Sequence, residues 1–313
     1  MGPLAMNKKR RQLLRAGLAG VGLLASGSLW AAKRRVLIPG QTYLGGRLLQ
    51  RISDAGFPDM RPDNFGPMTM FVAPVAVAIS PQGDLYIADA GLSALFRFDT
   101  MQEVMSVVRG ARVTQQTRIT AMSDGSVLVA NGGLAPVTRY TRAGRVLQTL
   151  DPQLGAAYYD ELVVDGVSGR FFGLDRVQRR LEEIMPHGRG ATVLPEGIVP
   201  DQPSAMVMDG RMLYFAGRGC QCVIGVEMFA SRDMTVIAED VGFVSAMAAG
   251  DDWLVLSDVR DRMLRLFYQG SMVSEIDFGS LGLLEPRGMA IGNRMLYVAD
   301  VAARRILTFR MRT

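Results

Sequence analysis

The sequence predicts an all-β chain assembled from six blade-like units, and three observations carry that expectation. A short apolar run ending mostly in Asp or Asn recurs six times, and the ends of successive runs lie 42, 44, 42, 41 and 42 residues apart. Before each run stand a second apolar strand and a polar or glycine turn, and after it a third strand follows. Self-similarity held at such a period marks a repeat architecture, and an ordinary β-sandwich would not sustain it. Three or four short strands per unit, separated by turns, are the composition of a propeller blade.

Residues 1–32 stand apart from the repeats as an export signal or N-terminal anchor. Lys8, Lys9, Arg10, Arg11 and Arg15 carry five positive charges with no Asp or Glu beside them, and Ala16 to Trp30 is a Gly/Ala/Leu run. A basic stretch followed by a short apolar one is the layout of an export signal, and it is short for a spanning helix. Arg10-Arg11-Gln12-Leu13-Leu14 is similar to the core of a twin-arginine signal, whose modest hydrophobicity the glycines suit. General secretion and an uncleaved segment attaching the protein to the membrane are the alternatives. Met6 is an alternative start, because Met1 to Ala5 adds nothing that an export signal needs. Without the leader, 30 basic residues face 30 acidic ones, so the formal charge of +5 gives no ground for a nucleic-acid partner.

Residues 33–73 are expected to hold a closing strand and a connection, and residues 74–313 the blades. The stretch from Gly46 to Ile52 reads almost like the fourth strand of the second unit, Gly144 to Leu150, whereas the sixth unit reaches Thr313 after three strands. Residues 45–52 are therefore expected to complete the sixth blade, leaving no long open edge. Residues 57–73, rich in Pro, Asp and Met, then cross into the first full unit. There Val75 to Ile79, the turn Pro81-Gln82-Gly83-Asp84 and the strand Leu85 to Asp89 set the pattern. The equivalent second strands end at Asn131, Asp175, Gly217, Asp258 and Asp300.

The last unit shows the pattern best. Pro286-Arg287-Gly288-Met289-Ala290-Ile291, Met295-Leu296-Tyr297-Val298-Ala299-Asp300 and Arg304-Arg305-Ile306-Leu307-Thr308-Phe309 follow a P-x-G start, a Y-V-A-D second strand and an R-I-x-x-F third strand. On these motifs, and on residues 74–110, the chain resembles the NHL repeat family over about residues 45–313, with 160–194 and 203–239 the more degenerate units. The resemblance implies a closed six-bladed β-propeller. It also implies the range of functions seen among such rings: protein-binding and RNA-binding modules, lyases and lactonases.

In a propeller the first strand of each blade lines the channel, and the loop after the second strand lies on the face that leads into the next blade. Asp89, Asn131, Asp175, Asp258 and Asp300 should then ring one face. A metal-binding ring is one reading; strand-end caps that accept backbone N–H bonds from the following turn are the preferred one. Aligned first strands put Val75, Arg118, Glu161, Ser204, Ser245 and Arg287 at equivalent places near the channel mouth. Arg118, Glu161 and Arg287 are the candidate ligand-binding residues for a small anionic group. A structural Arg-Glu-Arg network closing the pore explains the same residues and is preferred.

Cys220 and Cys222 follow Gly217, in the one unit without an acidic or amide strand end. On an extended chain their Cα atoms would lie about 6.6 Å apart, at the wide end of the disulfide range, so a bridge requires a turn. Redox exchange or soft-metal capture is one reading; packed thiols or a plain local bridge is the preferred one. Met68, Met70, Met206 and Met208 are copper ligands by residue type, but gap-filling between blades accounts for them. The single histidine, His187, sits on a glycine-rich turn and excludes any site that needs two imidazoles.

That exclusion separates the chain from amidating lyases of the same blade type, which rely on several histidine ligands. A lactonase would need a Glu/Asn/Asp calcium set, for which Glu161, Asn131 and Asp258 are available by type but depart from that family's placement. No haem, P-loop or dinucleotide motif occurs, and no cofactor is expected. The sequence therefore points to a periplasmic or secreted, non-catalytic module that binds an envelope protein partner. Its contacts are expected on residues 57–73, on 151–160 with Tyr158 and Tyr159, and on 195–203. The alternative is a lactonase-like hydrolase or lyase with a divalent metal at the channel mouth.

Overall fold

An apolar run without interruption, such as Leu296-Tyr297-Val298-Ala299, demands a strand buried on both faces. The computed structural model supplies them. It describes residues 36–48, 68–132, 136–150, 159, 161–165, 168–184, 190–194, 197–229 and 233–312. Chain contacts divide the protein into residues 1–35 and 36–313; Arg10, Arg11 and the leader thus lie outside the described residues, as does His187.

Three strands, β1 (Leu37–Tyr43), β2 (Gly45–Leu48) and β3 (Met68–Met70), precede the blades. Blade 1 is β4 (Pro74–Ile79), β5 (Leu85–Asp89), β6 (Ala94–Asp99) and β7 (Val104–Val107). Blade 2 is β8 (Arg118–Ala121), β9 (Val127–Ala130), β10 (Val137–Tyr140) and β11 (Val146–Leu150), and blade 3 is β12 (Glu161–Val164), β13 (Phe171–Asp175), β14 (Arg180–Ile184) and β15 (Gly190–Leu194). Blade 4 comprises β16 (Pro203–Asp209), β17 (Met212–Gly217), β18 (Cys222–Glu227) and β19 (Met234–Ala238). Blade 5 comprises β20 (Val244–Gly250), β21 (Trp253–Asp258), β22 (Met263–Tyr268) and β23 (Ser271–Asp277), and blade 6 β24 (Pro286–Gly292), β25 (Met295–Asp300) and β26 (Arg305–Met311). Within each blade the consecutive strands pair antiparallel in chain order, and the six first strands follow one another around the axis until β24 meets β4.

The core is divided into six, one cluster at each junction between neighbouring blades. Strand alternation does this directly. Leu296 and Val298 of β25 point into the junction with blade 5, while Tyr297 and Ala299 point into the junction with blade 1. At the final join the backbones come so close that a Cβ on Gly288 would lie 2.7 Å from the Ala76 Cα, so the P-x-G start of the sixth unit is a packing requirement.

The ring closes through an N-terminal strand, but not through residues 45–52. β1 completes blade 6 by pairing antiparallel with β26, Leu37 opposite Met311 and Tyr43 opposite Ile306. Residues 45–48 instead form β2, which lies parallel to β7 with Arg47 opposite Val104 and carries β3 on its other side. Blade 1 thereby gains two strands. The physical reason is that an outer-strand pattern fits any free blade edge, and the anchors that select an edge are aromatic. Tyr43 ends β1 with its ring 4.8 Å from that of Phe98, edge to face, which turns the following residues toward blade 1. Residues 49–52 lie outside the described residues.

Candidate functional site

The channel mouth is shaped by bulges at the start of the first strands. In blades 1, 4, 5 and 6 the pairing skips one residue, namely Val75, Ser204, Ser245 and Arg287. A bulge leaves that residue out of the ladder and re-aims its side chain. Arg118 and Glu161 start β8 and β12 in regular register.

Arg118 and Glu161 meet: the guanidinium Nε donates to the carboxylate Oε1 at 2.9 Å. The second arginine on that carboxylate is not Arg287 but Arg176, whose Nη2 donates to the same oxygen at 3.0 Å and to the Ser204 carbonyl at 3.3 Å. Glu161 is buried, with 7% of its side chain exposed, so two cations hold it in a desolvated place where it would otherwise be costly. Arg287 lies across the mouth, half-exposed, and donates to Glu285 at 2.8 Å. Arg218 is the fourth arginine. Its guanidinium stacks 3.7 Å from the centre of the Phe243 ring. The four arginines, with Ser204, Ser245 and Phe243, surround a cavity of about 360 Å³. Below it a cavity of about 220 Å³ continues between the first strands, walled mainly by Ala, Val, Ile, Leu and Met side chains.

Sequence reasoning missed Arg176 and Arg218. They occupy one repeat position, directly after the second strand, where the other units carry Ala90, Gly132, Val259 and Val301. Aligning that position would have brought both to the mouth.

The four strand-end aspartates spend acceptors on the main chain. Asp89 accepts from the N–H groups of Val72, Ala73, Gly91 and Leu92 at 2.8–3.0 Å. Asp300 accepts from Leu284, Glu285 and Ala303, and Asp258 from Gly242, Arg260 and Asp261. Asp175 accepts from Gln178, and Asn131 bonds Thr117 and the Arg112 carbonyl. Each Asp thus fixes its own turn, and Asp89, Asp258 and Asp300 also clip it to the segment before the first strand; Asn131 departs from the expected cap, because its bonds among the described residues go to that preceding segment and not to its own turn. Among the described residues no three His, Cys, Asp or Glu side chains come together to hold a metal ion.

Blade 4 replaces the missing carboxylate by other means. Arg218 and Gly219 donate their N–H groups to the carbonyls of Gln202 and Asp201, and Cys220 and Cys222 are joined as a disulfide. The turn that the bridge requires is present: Gln221 takes φ of 50°, which draws the Cα atoms to 5.1 Å from the roughly 6.6 Å of an extended chain. Met206 and Met208 line the channel, while Met68 and Met70 are exposed on β3, in another blade from the cysteines.

Of the expected contact loops, 57–67, 151–158, 160 and 195–196 fall outside the described residues, Tyr158 with them. Tyr159 is not an exposed contact. It is 2% exposed and its hydroxyl donates to Glu182 at 2.7 Å, and burial, with that carboxylate, pushes its pKa above the ordinary tyrosine range.

A closed ring of six antiparallel blades around an arginine-rimmed channel defines the protein as a six-bladed β-propeller. No family model matches the chain, and no curated protein matches it. Solved structures do, by fold. Virginiamycin B lyase from Staphylococcus aureus is similar with a TM-score of 0.57 at 12% identity, over 77% of this chain and 96% of that one. The β-propeller domain of Cps50 (Swd1) from Myceliophteria thermophila gives a TM-score of 0.56 at 12% identity, with the same coverage of 77% and 96%. A chain of a nidogen/laminin complex gives 0.54 at 14% identity, over 70% of this chain and 90% of that one. At these identities the likeness is one of fold.

Proposed function

We infer that the chain is an exported, NHL-type propeller that serves as a binding module in the cell envelope, receiving an acidic group of a protein partner at its channel mouth. The observation that carries this reading is the mouth itself, where Arg118, Arg176, Arg218 and Arg287 converge against two carboxylates. Arg118 and Arg176 are held in place by Glu161 before anything binds, which lowers the ordering cost of recognition. Export is supported by the Arg10-Arg11 leader and by the Cys220–Cys222 disulfide, a bond at home outside the reducing cytosol. The metal-dependent hydrolase reading has less support, because Glu161 and Asp258 are committed to ion pairs and backbone caps.

Native mass spectrometry of the processed protein from its own envelope fraction, without reductant, tests this. The expected species is the chain plus a protein partner, lost in Arg218→Glu and Arg287→Glu variants that melt normally. A chain carrying only a divalent ion or a small molecule would replace this reading with the enzymatic one.

A further inference from the structure

The cationic mouth opens onto a channel where mainly apolar side chains stand beside the main-chain edges of the first strands, and that juxtaposition is more specific than a patch of positive charge. We propose that the site takes an amphipathic carboxylate, its head group among the arginines and its apolar tail down the channel. The proposal deepens the envelope-module reading and rests on it only for the source of the carboxylate.

Charge comes first. Glu161 offsets one of the two cations that hold it, so the Arg118–Glu161–Arg176 group keeps a net positive charge beside the cavity. Arg218 stacks on Phe243 and, among the described residues, has no carboxylate partner. The partner of Arg287, Glu285, is 42% exposed, so that ion pair is solvent-screened and can give way to a ligand. Planar guanidinium groups match a carboxylate with two parallel N–H···O bonds. Below the mouth, Ala78, Leu162, Met206, Met247, Met289 and Ile291 offer a tail no hydrogen-bonding side chain. Methionine side chains adapt to irregular tails. A fully polar anion would leave these apolar side chains without a contact, and an uncharged apolar ligand would leave the guanidinium groups unanswered.

The test uses the full exported chain with its disulfide intact. Acetate, butanoate, hexanoate and hexylammonium are titrated by calorimetry, and hexanoate binding is followed by NMR of 13C-methyl methionine. Affinity should rise about three- to fourfold per added methylene, hexylammonium should not bind, and methyl signals of Met206, Met208, Met247 and Met289 should shift with hexanoate but not with acetate. Arg218→Gln and Arg287→Gln, both at exposed positions, should each weaken hexanoate about tenfold or more with unchanged melting. A short peptide ending in leucine, with free or amidated C-terminus, separates the sources. Tighter binding of the free-acid peptide than of hexanoate assigns the site to a partner's C-terminus, and the reverse assigns it to a free acid. No binding at millimolar concentrations, no chain-length dependence, equal binding of hexylammonium, or full affinity in both arginine variants overturns the proposal. Hexanoate binding without any partner in the native mass spectrum would leave this inference standing and remove the module reading.

Discussion

Five turns between second and third strands place a non-glycine residue in the left-handed region: Ser93 at φ 52°, Arg179 and Gln221 at 50°, Arg262 at 57° and Arg304 at 55°. No such side chain announces that conformation, because the tertiary ring imposes it against local preference. The strand ends were legible for the opposite reason, since a short acceptor is what a turn of exposed N–H groups requires. Asp300→Ala would leave three N–H groups without their acceptor and should cost about 2–3 kcal/mol in a denaturant melt. Tyr86 supplies a pH dependence. Burial, and then Asp84, raise its pKa from 10.0 to about 12, and its hydroxyl donates to the Gly125 carbonyl at 2.6 Å. The folded chain keeps this proton where the unfolded chain has lost it, so the contribution is whole below pH 10 and declines as pH climbs toward 12. Tyr86→Phe should therefore show a shallower loss of unfolding free energy between pH 10 and 12 than the parent protein. At the mouth, Arg118 and Glu161 were legible from aligned first strands. The replacement of Arg287 by Arg176 on Glu161 was not, because pairing across a pore depends on side-chain reach.

Among the elements, β2 and β3 show where pattern reading stops. Gly46-Arg47-Leu48 carries the signature of an outer strand, and it is one, but sequence periodicity holds no record of which blade it joins. The close fit against blade 1 decides that: a Cβ on Gly46 would lie 2.8 Å from both the Glu103 carbonyl oxygen and a Phe98 ring carbon. Gly46→Val should detach the β2–β3 hairpin while the six blades persist. Hydrogen exchange at residues 45–48 and 68–70 should then rise by an order of magnitude or more, while the near-ultraviolet spectrum and the main melting transition change little. A melt that falls as a whole would show the hairpin to be integral to the ring.

At the level of the whole molecule, six junction cores make every blade depend on two neighbours, so the ring is expected to melt in one cooperative step. Removing residues 36–43 takes β1 from blade 6, uncovers the edge of β26 and strips Leu37 and Tyr43 from two junctions. That truncation should lower the single melting temperature by several degrees and promote self-association, both readable by calorimetry and sedimentation. The six-fold repeat made the ring legible; the identity of its closing strand was not, since two successive stretches could serve as the outer edge.

The latch between β1 and β26 also has a consequence for how two copies of the protein meet. Leu37 and Met311 pair across nearly the whole sequence, so this strand is the contact with the greatest loop to close, and it holds on by one ladder of a single sheet. A neighbour's β1 offers the same ladder and the same two anchors. At high concentration, or after partial unfolding, molecules would therefore trade these strands, and reciprocal exchange would give a dimer whose blades are indistinguishable from the monomer's.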